Sequence, residues 1–155
     1  MAKNVLSPEE LSSFHHSYKS RVQFYEVDSF NVVHNVRFHY WFEWARLLYM
    51  EELGIQLKSS TIVRDFPLMT VRSEIDYFAP GRLGMEYEIL TKISVVKNSS
   101  LQFEHIALNN EGVILSKCSG WLVHVDPKGK ETKRIPDEMR ENIRIAEKNN
   151  VQFLD

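Results

Sequence analysis

Asp28 carries a reactive carboxylate and lies shortly before a predicted helix, whose first backbone N–H groups could act together with it. It lies between a strand-like run at residues 21–25 and a long aromatic, helix-like run that begins near His34 and Asn35. The first backbone N–H groups of a helix lack an intrahelical acceptor and carry a partial positive charge, so they can polarise a carbonyl group. A carboxylate beside them can act as a base or as a nucleophile. This short segment therefore offers the two groups that acyl chemistry needs.

Ordinary structural roles compete with chemistry at these positions. An Asp before a helix often bonds the N–H groups of its own turn, and an Asn at a helix start is a common cap. His34 and His39 are five residues apart, but no Cys, Asp or Glu cluster completes a ligand set, so we expect no metal. We interpret His34 as a local hydrogen-bond partner or a substrate contact.

Glu43 and Arg46 are three residues apart on the predicted helix, which is the spacing of an ion pair. The pair is either an ordinary helix contact or part of the wall of a site. The sequence has no Gly-x-Ser-x-Gly turn, Gly-rich phosphate loop or dinucleotide fingerprint. An α/β-hydrolase triad and a nucleotide-binding fold are therefore disfavoured.

The chemical pattern around Asp28 continues without a gap through residues 25–38 to Glu43, Ala45 and Arg46. It consists of an Asp, a turn, two apolar residues, a helix start rich in His and Asn, an aromatic residue, and Glu-x-Ala-Arg inside the helix. This pattern resembles the signature of hotdog-fold acyl-CoA thioesterases of the 4-hydroxybenzoyl-CoA thioesterase type. Residues 75–81 and 100–103, and residues 125–126 followed by 135–136, resemble later segments of the same family.

The resemblance implies a hotdog domain that hydrolyses an acyl-CoA thioester. In that reading Asp28 is the base or nucleophile, and the backbone N–H of Asn35 polarises the thioester carbonyl. It further implies a homo-oligomer, a dimer or tetramer, with active sites at the subunit boundary, and no metal or organic cofactor. The residues that we expect to contact the substrate are Val33, His34, Phe38, Glu43 and Ser100, of which Ser100 is also simply read as a strand residue.

Asn31 stands where many members of this family carry Gly. Asn tolerates the left-handed backbone better than other non-glycine residues, so we expect Asn31 to support the turn after Asp28. Val32 stands where one variant of the signature has a His. An imidazole at that position therefore cannot take part in catalysis in this chain.

Three alternatives to an acyl-CoA thioesterase differ in substrate or in activity. Residues 35–38 also resemble a segment of acyl carrier protein thioesterases, which hydrolyse the same bond on another carrier. A non-catalytic acyl-CoA-binding hotdog module would bind without turnover, although the retained Asp28 argues against it. A hotdog dehydratase is disfavoured because the His-Phe-Pro-Gly segment of that group is absent.

Length and composition limit the number of domains, the partners and the compartment that are compatible with this chain. A chain of 155 residues with 43% hydrophobic and 26% charged content fits a single globular domain. The formal net charge is −2, which provides no footprint for nucleic acid or an anionic membrane. Cys118 is the single cysteine, so no intramolecular disulfide is possible. With no apolar signal-like segment at the N-terminus, we expect a cytoplasmic protein.

The predicted elements indicate an α+β fold in which an antiparallel sheet wraps a central helix. Ser7 and Glu10 form a capping-box pattern for a short first helix. Gly54 should end the central helix. We expect a core at about residues 18–136 with peripheral terminal helices. The predictions are a strand at 18–26, the helix at 35–53, a half-buried strand at 69–77, strands at 87–95, 101–108 and 113–125, and a charged helix after Pro136.

Overall fold

The computed structural model describes residues 4–155, and in it one sheet packs against one long helix. Five antiparallel strands have the order β1-β3-β4-β5-β2, and a short β6 pairs in parallel with β3. The α+β class is confirmed. The elements are α1 Pro8–Ser12, β1 His16–Arg21, a 3₁₀ helix Phe24–Glu26, α2 Asn35–Glu52, α3 Ser59–Asp65, β2 Leu68–Tyr77, β3 Glu86–Lys97, β4 Ser100–Asn109, β5 Ile114–His124, α4 Asp137–Ala146 and β6 Gln152–Leu154.

Two of the helix boundaries predicted from the sequence are confirmed by local geometry. Ser7 and Glu10 form the capping box of α1, and Gly54, with φ of 92°, follows the end of α2 in a left-handed conformation. The face of α2 that packs on the sheet contains buried side chains at steps of three and four residues, namely Phe38, Trp41, Phe42, Ala45 and Tyr49.

The first strand is shorter than predicted. Strand β1 ends at Arg21, and the chain then turns into the 3₁₀ helix, so Phe24 is 81% exposed and does not alternate into the core. The Glu26 side chain accepts a hydrogen bond from the Gln23 N–H at 2.8 Å. This local contact satisfies a backbone donor that a continued strand would have paired with a neighbour.

The prediction of a half-buried β2 is wrong for the single chain. Only Leu68 and Ile75 of this strand are partly buried. A β-bulge between Thr70 and Arg72 interrupts the alternation, and β2 is the edge strand beside β5. Its free edge and apolar residues such as Met69 therefore face outward.

The C-terminal helix is part of the core and not peripheral, contrary to the expectation from the sequence. Ile143 of α4 is fully buried with Ile135 in the cluster that surrounds the second half of α2. Glu147, just after α4, accepts hydrogen bonds from the Tyr49 hydroxyl at 2.5 Å and from the Ile93 N–H at 2.8 Å. Helix α3 and strand β6 were not predicted. No helix in residues 4–155 has the length and apolar character to cross a bilayer.

Candidate active site

The turn that carries Asp28 is held by its own carboxylate. Asp28 Oδ1 accepts hydrogen bonds from the N–H groups of Phe30 at 2.8 Å and Val32 at 3.2 Å. Asn31 has φ of 57°, which confirms the left-handed conformation expected there. Within residues 4–155 no group bonds Asp28 Oδ2, and the residue is exposed. One carboxylate oxygen therefore orients the side chain while the other remains available for chemistry.

The loop between β2 and β3 clamps this turn from outside. Arg82 Nη1 donates to the backbone carbonyls of Phe30 and Asn31, each at 3.3 Å. The N–H of Leu83 donates to Asn31 Oδ1 at 3.0 Å. No local sequence pattern points to Arg82, because its partners lie about fifty positions earlier in the chain.

Buried Glu26 joins the turn to α2. Its Oε1 accepts a hydrogen bond from the indole N–H of Trp41 at 2.8 Å, and its backbone carbonyl accepts from the N–H of His34 at 2.9 Å. Trp41 in turn stacks on Tyr87 of β3, with ring centroids 3.9 Å apart. Glu26 thus links the 3₁₀ helix that precedes Asp28 to the N-cap residue of α2 and to the second turn of that helix.

His34 caps α2, and Asn35 is its first helical residue. The Nδ1 atom of His34 accepts a long hydrogen bond from the Val36 N–H at 3.4 Å. No atom in residues 4–155 accepts a hydrogen bond from the Asn35 N–H, as is usual in a first helical turn. This donor points out of the helix start, where the dipole favours negative charge.

A close backbone contact fixes this helix start against the strand end. The Val33 N–H donates to the Gly81 carbonyl at 2.9 Å, and a Cβ on Gly81 would lie 2.7 Å from Val33 Cγ2. Glycine is therefore required at position 81 for this approach. The Tyr77 hydroxyl, at the end of β2, donates to the Asn35 carbonyl at 3.4 Å.

A groove of about 320 Å³ opens at this point, and we call it the helix-start groove. Its apolar wall includes the Phe38 and Tyr77 rings, whose centroids are 5.5 Å apart in an edge-to-face contact. Three of the residues predicted from the sequence, Val33, Asn35 and Phe38, therefore line one space. The full lining is Val32, Val33, Asn35, Phe38, Tyr77, Phe78, Ala79 and Pro80.

The other predicted contacts lie outside this groove. Asp28 and His34 are in the segment that leads to it, whereas Glu43 lines a second cavity further along α2. Ser100 pairs with Val123 at the far end of β5, while Tyr77 pairs with Ser116 near its beginning. Ser100 is therefore remote from the helix-start groove in the same chain.

The second cavity, of about 200 Å³, lies between α2 and strands β2, β4 and β5, and we call it the inner cavity. Arg46 Nη2 donates to Glu43 Oε1 at 3.4 Å at its wall. His105 is buried there, and its ring stacks on Phe42. Burial, together with the positive charge of Arg46, lowers the pKa of His105 to about 3, so this imidazole is neutral near pH 7.

The Nδ1 atom of His105 lies 2.9 Å from the Thr91 hydroxyl, so the buried imidazole has a polar partner on β3. Across residues 4–155, no group of three or more His, Cys, Asp or Glu side chains is arranged to hold a metal ion.

The family model of the thioesterase-like superfamily matches residues 22–143. The chain belongs to this superfamily. Its matched region begins just before the Asp28 turn and ends within α4, so it contains every element described for the site. The sheet and wrapped helix are accordingly those of the hotdog fold.

Three relatives illustrate the similarity. The acyl-CoA thioester hydrolase YbgC of Escherichia coli is 24% identical over 116 residues, which cover 75% of this chain and 86% of that protein. The chloroplastic acyl-acyl carrier protein thioesterase ATL2 of Arabidopsis thaliana is 28% identical over 81% of this chain and 66% of its own length. A Thermus thermophilus thioesterase, crystallised with coenzyme A and Zn, is 28% identical with a TM-score of 0.76, covering 88% of this chain and 96% of that one.

Proposed function

We propose that this protein hydrolyses an acyl-CoA thioester to a free acid and CoA. The observation that carries the proposal is that one short, hydrogen-bonded segment holds both an Asp28 carboxylate oxygen and an Asn35 N–H that have no partner among residues 4–155. YbgC is named for this reaction, and the Thermus protein was crystallised with coenzyme A. Both similarities favour CoA as the carrier of the acyl group.

In the proposed reaction the thioester carbonyl accepts a hydrogen bond from the Asn35 N–H. Asp28 Oδ2 either takes a proton from a water that attacks the carbonyl carbon, or attacks that carbon itself and forms an anhydride that water then hydrolyses. Negative charge develops on the carbonyl oxygen in both routes, and the helix start stabilises it. The C–S bond breaks, the CoA thiolate leaves and takes up a proton, and the carboxylic acid remains.

The expected substrate contacts divide between the two spaces. Val33 and Phe38 flank the thioester in the helix-start groove, His34 stands at its rim, and Glu43 meets the substrate from the inner cavity. Ser100 takes part in this proposal only when a neighbouring subunit supplies it, since it is remote within one chain.

Release of the CoA thiol measures this activity directly. Purified protein is given short, long and aromatic acyl-CoAs, and free thiol is followed by a colorimetric reagent. Turnover above the rate without protein on at least one class supports the proposal. Tight binding of CoA products with no thiol release from any class would instead establish the non-catalytic acyl-CoA-binding module.

An acyl carrier protein thioesterase is the second candidate, and the similarity to ATL2 favours it. The active-site chemistry is the same, so the two differ only in what holds the carrier. One acyl group is presented on CoA and on acyl carrier protein, and the two kcat/KM values are compared. A higher kcat/KM with acyl carrier protein would identify that protein, and not CoA, as the physiological carrier of the acyl group.

We further propose a cytoplasmic homo-oligomer, a dimer or a tetramer. The exposed edge of β2 and the partly uncovered aromatic residues Tyr40 and Trp44 on α2 support assembly, because both features are commonly covered by another subunit. The single thiol at Cys118 is compatible with a reducing compartment.

A further inference from the structure

The helix-start groove and the inner cavity share the same two walls. Asn35 and Phe38 of α2 face Tyr77 of β2 in the groove, and later residues of α2 face earlier residues of β2 in the cavity. Because α2 and β2 run along both spaces, the groove at Asn35 and the cavity at Arg46 lie in line along the same helix and strand. The two positions are separated by about 16 Å along the helix axis, at about 1.5 Å per residue. Helical side chains lean toward the N-terminus, which shortens the gap.

Arg46 is a largely buried cation with little compensation at the end of this path. Its side chain is 18% exposed, and its one hydrogen bond to residues 4–155 is the 3.4 Å contact with Glu43, whose side chain is 58% exposed. Burial lowers the pKa of the guanidinium, and Glu43 opposes that change only in part. A guanidinium carries five N–H donors, so most of those of Arg46 have no acceptor among residues 4–155.

The other polar groups around the cavity make it suited to an oxygen-bearing ligand. Thr70 and Ser73 of β2 bring hydroxyl groups to its wall, opposite Arg46 and Glu43 on α2. An apolar acyl end placed here would displace water from the guanidinium donors and leave them unpaired, which is costly in a site covered by a ligand. An oxygen acceptor would satisfy them.

Gly120 of β5 keeps the cavity open. A Cβ at this position would lie 3.5 Å from the Arg72 carbonyl and 3.8 Å from Ser73 Oγ, which is ordinary contact. A larger side chain there would therefore be compatible with the backbone and would occupy the space. This residue allows the volume of the cavity to be changed without changing its charge.

We propose that the inner cavity receives the distal end of the acyl group, and that Arg46 binds a carboxylate or hydroxyl oxygen at that end. The inference rests on the proposed thioesterase function, which it makes specific for ω-oxygenated acyl groups long enough to reach from the helix start. Arg46 acts as a specificity-determining residue. Glu43 distinguishes an acyl end with a carboxylate from one with a hydroxyl. Its own carboxylate repels the first and accepts a hydrogen bond from the second.

The test compares plain, ω-hydroxy and ω-carboxy acyl-CoAs of matched chain length, with thiol release as the readout. We expect wild-type kcat/KM for at least one oxygenated series to exceed the plain series by about tenfold or more, because an unmet buried donor penalises the plain chain. Arg46→Met should reduce that ratio to near one. Arg64→Met removes an exposed arginine paired with Asp65 and serves as the matched control with an unchanged ratio.

Two further variants keep the result interpretable if Arg46→Met does not fold. Glu43→Gln should raise kcat/KM for the ω-carboxy series if that is the natural class, and lower it for the ω-hydroxy series if that is the natural class. Gly120→Val should shorten the longest chain that is accepted. Preference for plain chains in the wild type, or an equal loss on all three series in folded Arg46→Met, would overturn the inference. Absence of thiol release from every substrate would instead refute the proposed function.

Discussion

Replacing Asn35 by proline removes one N–H donor from the helix start and leaves the rest of the helix as it is. Asn35 is the first residue of α2, a position that favours proline, and its N–H has no acceptor in residues 4–155. His34, which precedes it, has φ of −60° and ψ of 131°, the extended conformation that a residue before proline prefers. We therefore expect Asn35→Pro to fold with little loss of stability.

The catalytic cost of this change should be large. Removal of one oxyanion donor typically costs about 3 kcal/mol of transition-state stabilisation, or roughly a hundredfold in kcat. Asn35→Ala keeps the N–H and is the matched control, because the Asn35 side chain makes no hydrogen bond to the described residues 4–155. Thiol release is measured for both variants after their melting temperature and assembly state have been compared with the wild type.

We expect Asn35→Ala to retain much more kcat than Asn35→Pro. Equal activity of the two folded variants would refute the reasoning, since the thioester carbonyl would then be polarised by a group other than the Asn35 N–H.

Three other outcomes follow from the packing around the site. Glu26→Leu leaves the Trp41 indole N–H unpaired and should lower the free energy of unfolding by about 1–3 kcal/mol in denaturant titrations, while Glu26→Gln, which keeps an acceptor, loses less. The folded-state pKa of His105, about 3, lies below its ordinary value of 6.5, so the unfolded state binds the proton first and stability falls as pH drops from 6.5 toward 3. His105→Gln should flatten that part of the melting profile, and an unchanged slope would contradict the assignment. Light scattering at micromolar concentration should give a dimer or tetramer, and an 18.2 kDa species would argue against assembly through the β2 edge.

Local patterns in the sequence were sufficient for the central elements of the fold. The periodicity of α2, the Ser7 capping box and the left-handed Gly54 each depend on neighbouring residues, and all three are confirmed. Strand β2 was misjudged because its exposure depends on its place at the sheet edge and on a bulge, neither of which alternation alone reveals.

The parts of the site that the sequence missed are held by distant contacts. Arg82 reaches the Asp28 turn from another loop, and the role of Glu26 depends on Trp41 in the following helix. Gln23 and Glu26 have the spacing of a capping box, which is a local signal for the 3₁₀ helix before the Asp28 turn. The separation of Ser100 from the groove likewise follows from strand register.

The role of Asp28 is the central claim, and its isosteric amide tests it most directly. Asn at position 28 keeps an oxygen that can accept from the Phe30 and Val32 N–H groups, so the turn should persist, but the side chain can no longer act as a base or an effective nucleophile. We predict that Asp28→Asn lowers kcat on the best acyl-CoA by roughly a hundredfold or more while KM changes little. A correctly folded Asp28→Asn protein with near-wild-type kcat would contradict the account.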